Sequence, residues 1–86
     1  MPDTPEIPAH LIDLQRAYDT AHTGVLAASR HPGRIADWPA DAVAELEEAR
    51  TVEREAAVAL HRARAGTAFE AWEGQRRVQD AARAAG

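Results

Sequence analysis

The chain has no cysteine and no lysine among its 86 residues, and it has one serine, Ser29. Without cysteine there can be no disulfide, no thiolate metal ligand and no cysteine nucleophile. All ten basic residues are therefore arginine, a bias that fits a GC-rich genome better than any one mechanism. No apolar run approaches the roughly 18 residues that a membrane span needs. The acidic, proline-containing start is not a signal-peptide pattern, so a cytoplasmic location is expected. No glycine-rich phosphate loop is present. A formal net charge of −4 and a pI near 5.5 argue against broad binding to nucleic acid or to anionic membranes.

Large apolar side chains are also scarce. The hydrophobic fraction of 45% contains 21 alanines. Aromatic rings are limited to Tyr18, Trp38, Phe69 and Trp72. Full burial of a large side chain contributes roughly 1.5–3 kcal/mol, and chain entropy takes back most of the sum. A single domain of this length has a marginal core, and oligomerisation is one standard remedy. A homo-oligomer, a dimer in the simplest case, is therefore expected.

What the chain does have is alanine, arginine and glutamate at helical spacing, which predicts an all-α fold. Residues 1–7 carry Pro2 and Pro5 and read as a flexible N-terminal arm. Residues 8–86 read as one helical domain: helix 8–30, connection 31–38 and helix 39–84. Pro8 suits a first helical position because its missing N–H would have no intrahelical partner there. Ile7, Leu11, Leu14, Tyr18, Ala21, Val25 and Ala28 follow at alternating spacings of four and three, a heptad seam. His31-Pro32-Gly33 stops this helix. Pro39 and Asp41 mark the start of the next. Its stripe runs through Ala42, Leu46, Ala49, Ala56, Leu60, Ala63, Thr67, Ala71, Gly74, Val78 and Ala82, with Glu53 and Arg64 near its edge. The architecture expected is an antiparallel, coiled-coil-like hairpin with a long second helix. Thr67-Ala68-Phe69-Glu70 has the form of a capping box and Gly66 could end a helix, so a break at Gly66-Thr67 giving three helices is the alternative. The constant phase of the stripe favours continuity.

Helix 8–30 is roughly 34 Å long, whereas 39–84 would reach about 69 Å. A straight second helix would therefore leave Phe69, Trp72 and Val78 beyond the reach of the first. Val58, Ala65, Phe69 and Trp72 form a second apolar face, again favouring self-association. Trp38 is expected to pack over the hairpin end with Ile35. The residues expected to carry packing or partner contact are Leu11, Leu14, Tyr18, Val25, Leu46, Leu60, Phe69, Trp72 and Val78.

No constellation points to catalysis or to a cofactor. His10, His22, His31 and His61 are not paired at i,i+4 and lack H-E-x-x-H spacing. His10 with Asp13, and Asp19 with His22, read as surface pairs. The glutamates lie among arginines as a solvated face, with no burial to tune an acid–base dyad. Neither a metal nor any other cofactor is expected, nor any enzymatic activity. Arg76, Arg77 and Arg83 make the C-terminal end locally basic, which supports a small nucleic-acid-associated regulator as the rival reading. Trp72-Glu73-Gly74 matches the W-x-G string of small secreted helical-hairpin proteins. Those carry it at the central turn with a Tyr-x-x-x-acid signal, whereas His22 stands four positions after Tyr18. We read the match as coincidence.

Leu11-Ile12-Asp13-Leu14-Gln15-Arg16-Ala17, Ala21-His22, Val52-Glu53-Arg54-Glu55-Ala56-Ala57, Ala59-Leu60-His61, Glu73-Gly74 and Arg77-Val78 together resemble small helical proteins of Streptomyces and related actinobacteria that carry no assigned activity. Some of those have a His-Pro-aromatic break before the last helix, where this chain has Arg64-Ala65-Gly66-Thr67. The resemblance implies a helical fold and no particular chemistry. The leading expectation is a non-enzymatic interaction or adaptor module that self-associates.

Overall fold

The computed structural model describes residues 6–85. They form α1 (Ala9–Ala28), a short 3-10 turn (Ile35–Asp37), α2 (Ala40–Arg64) and α3 (Trp72–Ala85), with no strand among the described residues. The chain is all-α.

Two prolines start the arms of the hairpin. The Pro8 carbonyl accepts hydrogen bonds from the backbone N–H groups of Leu11 and Ile12 at 3.1 and 3.4 Å. The Pro39 carbonyl does the same for Ala42 and Val43 at 3.0 and 3.1 Å. In both cases a residue with no N–H to lose stands where a donor would have no helical partner. Residues 1–5 of the expected arm lie outside the described residues. Ile7 departs from the arm assignment, because it packs on the core cluster of Leu11, Phe69 and Val78.

The hairpin bend is fastened by Trp38. Its indole N–H donates to the Gly33 carbonyl at 3.1 Å. Its ring meets His31 at a centroid separation of 5.0 Å, tilted by 45°. Gly33 adopts φ of 89°, a left-handed geometry that a side chain would oppose. Ile35, expected to pack with Trp38, is 51% exposed, and the indole meets His31 and Gly33.

α1 and α2 pack along the seam that the heptad spacing predicts. Leu11 and Ala21 are buried, and Leu14, Tyr18, Val25 and Ala28 are half-buried. From α2, Leu46 and Leu60 are buried, with Ala42, Ala49, Ala56 and Ala63 half-buried between them.

The continuous helix 39–84 is corrected. α2 ends at Arg64, and the break at Gly66-Thr67 is real. Gly66 takes φ of 73°, the left-handed position that ends many helices. The last carbonyls of α2 find partners in the turn: His61 accepts from the Ala65 N–H at 3.0 Å, and Arg64 from the Thr67 N–H at 3.0 Å and its hydroxyl at 2.6 Å. Thr67 Oγ1 accepts from the Phe69 N–H at 3.1 Å, and the Glu70 carboxylate accepts from the Gly66 N–H. These are the side chains of the capping box, each engaging a donor one residue earlier than the standard motif. They close a turn instead of opening a helix, and α3 begins only at Trp72.

α3 then packs back on α1, burying Gly74, Val78 and Ala82. The fold-back works because Gly74 has no side chain. A Cβ there would collide with the Ala68 carbonyl and stand 2.5 Å from the Phe69 Cα.

Candidate functional site

The expected contact residues divide into a core and a surface. Leu11 and Val78 are fully buried and Phe69 is 4% exposed, together closing one end of the hairpin. Leu46 and Leu60 are buried along the seam; Leu14, Tyr18 and Val25 are half-buried there. Trp72 alone of the set is open, at 69% exposure. Phe69 and Trp72, three residues apart, thus have opposite fates. Phe69 is in the turn and plugs the hairpin end, whereas Trp72 starts α3 on its outer side.

The two arms are joined by a polar contact that sequence spacing missed. His22 Nδ1 lies 2.7 Å from Glu53 Oε2, so the imidazole N–H donates to the carboxylate. The His22 ring also stacks on Tyr18, with centroids 6.2 Å apart and planes 9° from parallel. Asp19, the expected partner of His22, accepts instead from Gln15 Nε2 at 3.0 Å. The available signal was Glu53 itself, a carboxylate near the edge of the stripe of α2.

An open groove of about 600 Å³ runs between the arms toward the bend. α1 lines it with Ala17, Thr20, Ala21, Gly24 and Ala28, and α2 with Glu45, Glu48, Ala49 and Val52. It exists because five of these nine residues are alanine or glycine, too small to fill the space between two helix backbones. At 100° per residue, positions 17, 20, 24 and 28 fall on the flank of α1 away from Leu11 and Gln15. Val52 stands on the rim, 50% exposed.

A second, polar cavity of about 220 Å³ lies where the three helices meet. Its lining is Gln15 and Tyr18 from α1, Ala57, Leu60 and Arg64 from α2, and Gln75 and Gln79 from α3. Gln15 is only 3% exposed, and its Oε1 has no hydrogen-bond partner. Arg64 Nε is likewise buried without one.

The C-terminal arginines do not form one cluster. Arg77 is half-buried with its guanidinium 5.6 Å from the centroid of the Phe69 ring, a cation–π geometry. Arg76 and Arg83 remain exposed, with exposed Asp80 between them on the same helix. Among the described residues no three His, Asp or Glu side chains are placed to hold a metal ion, and no helix is long and apolar enough to cross a membrane. Compared with known proteins, the chain matches no family model, no curated protein and no solved structure.

Proposed function

We propose that the chain is a non-enzymatic helical interaction module that self-associates, and that Trp72 is the centre of its self-contact. The observation that carries this reading is the 69% exposure of Trp72 beside so small a core. An indole is the costliest side chain to leave in water and the commonest anchor of a protein contact. Leu26, Ile35, Val52 and Val58 add further exposed apolar surface. The open groove between α1 and α2 gives an adaptor a second place to hold another protein. The rival reading, a nucleic-acid-associated regulator, is less well supported: Arg77 is engaged with Phe69 and Asp80 offsets Arg76 and Arg83.

Light scattering from micromolar to millimolar concentration tests self-association. A mass rising from the monomer value of 9.3 kDa supports the reading. A constant monomer mass throughout that range rejects it.

A further inference from the structure

We propose that Thr67 is a phosphorylation site, selected by an arginine-directed serine/threonine kinase, and that its phosphate releases α3 from the hairpin. The chain has five threonines and one serine. Only Thr67 has an arginine three residues before it, Arg64, and Arg62 stands two residues further back. No carboxylate lies between Arg62 and Thr67, and Glu70 is the first to follow. Basic residues at fixed offsets before the acceptor are what an acidic kinase cleft selects.

Backbone structure separates Thr67 from the other hydroxyls a second time. Thr20, Thr23 and Thr51 lie inside helices, and Thr23 and Thr51 donate to the carbonyls of Asp19 and Glu47 one turn back. Ser29 closes α1 and donates to the Val25 carbonyl. An extended binding cleft could take these only by unwinding a helix. Thr67 lies in the turn between α2 and α3, where residues 65–71 are exposed apart from Phe69. A segment with so few buried contacts opens locally more often than the helices beside it. Arg62 is exposed. Arg64 is half-buried, and its Nε has no hydrogen bond to lose when the last turn of α2 opens.

The transfer needs no reactant besides Mg·ATP. Thr67 Oγ1 attacks the γ-phosphorus and forms an O–P bond. The bond from that phosphorus to the β–γ bridging oxygen breaks, ADP leaves, and the hydroxyl proton passes to the base of the kinase.

The effect of the phosphate follows from the bonds that Oγ1 now makes. It donates to the Arg64 carbonyl at 2.6 Å and accepts from the Phe69 N–H at 3.1 Å. An ester oxygen carries no proton, so the first bond is lost. About two negative charges arrive at the C-terminal end of α2, the negative end of its dipole. They also stand beside the Glu70 carboxylate that accepts from the Gly66 N–H. Both placements disrupt by like-charge repulsion. Arg62 and Arg64 do not offset this, because helical side chains lean toward the N-terminus of their helix and away from the turn that follows it. The turn that seats Phe69 with Leu11 and Val78 then opens, and α3 loses its anchor.

A purified kinase selective for arginine at the third and fifth positions before the acceptor, with Mg·ATP, is the probe. Intact mass should rise by one phosphoryl group, and peptide mapping should place it on Thr67. Arg62→Gln, a surface change that should leave the melting temperature unaltered, should slow the transfer about 10-fold, the loss of one charge-assisted contact. In the phosphorylated protein, amide hydrogen exchange should quicken about 10-fold or more through α3 while the middle of α1 and of α2 stays protected. Phosphatase treatment should restore the slow exchange. No incorporation, incorporation at another hydroxyl, or a rate indifferent to Arg62 would overturn the site. A protein phosphorylated on Thr67 whose α3 exchanges as slowly as before would overturn the release.

Discussion

Gly74 and Phe69 are pressed together so closely that a Cβ on Gly74 would stand 2.5 Å from the Phe69 Cα. This contact sets where the turn after α2 meets the first turn of α3, and so places Phe69 over the end of the hairpin. Replacing a helical glycine by alanine ordinarily stabilises by about 0.5–1 kcal/mol. At Gly74 the collision is with backbone, which cannot rotate away, and the overpacking cost of about 1–3 kcal/mol outweighs the helical gain. Gly74→Ala should therefore lower the melting temperature. Gly24, also helical, has nothing within 4 Å of the equivalent Cβ, so Gly24→Ala should raise it. The same substitution with opposite signs, read by thermal melts of both variants, checks the fold-back; two increases would mean that the turn does not rest on α3.

His22 and Glu53 offer a test of hairpin register. The pair is partly solvated, with His22 side-chain exposure of 51%, so its coupling should be modest, about 0.2–1 kcal/mol. A double-mutant cycle with His22→Ala and Glu53→Ala measures it. A repulsive coupling would place the two arms in a different register from the one described.

Leu11 and Leu14 both belong to the heptad seam, but burial separates them. Leu11 has no exposed surface and touches the cluster that contains Phe69 and Val78, whereas Leu14 is half-buried. Leu11→Ala should cost about 2–5 kcal/mol, enough to unfold most of a domain this small. Leu14→Ala should cost clearly less. Chemical denaturation of the two variants ranks them, and a larger loss at Leu14 would mean that the core sits further along the seam.

The seam was legible although α1 packs on both α2 and α3, because the spacing of Leu11, Leu14, Tyr18 and Val25 reports the face that it turns inward. The break in the second helix was only half legible. Gly66, Thr67 and Glu70 announced an interruption, but the stripe through Ala63, Gly74 and Val78 kept helical phase, and phase alone cannot distinguish one straight helix from two that pack on the same neighbour. The reversal depends on Gly74, whose role is a close approach to Phe69 and leaves no trace in periodicity. The His22–Glu53 contact and the convergence of Gln15, Gln75 and Gln79 are tertiary juxtapositions that spacing within one helix does not report. Trp72 was singled out with Phe69, and only the turn geometry parts them.

Trp72 is where the proposed self-association can be tested most directly. Because Phe69 and Val78 already fill the core at that end and Trp72 is 69% exposed, the indole contributes little to the fold of one chain. Trp72→Ala should accordingly leave the helical signal intact and change the stability of the dilute monomer by no more than the surface range of about 0.5 kcal/mol. If Trp72 anchors contact between copies, the same change should reduce the mass seen by light scattering at high concentration to that of the monomer. The change should weaken association by about 10-fold or more, the loss expected for a central aromatic anchor. Fluorescence of Trp38→Phe, which leaves Trp72 as sole reporter, gives an independent reading: emission should redden and become more quenchable on dilution as copies part. A native assembly that keeps its mass in Trp72→Ala would move the self-contact elsewhere, with Val52 and the open groove as the next surface to alter. A large drop in the melting temperature of the dilute variant would instead show that the indole is packed within its own chain.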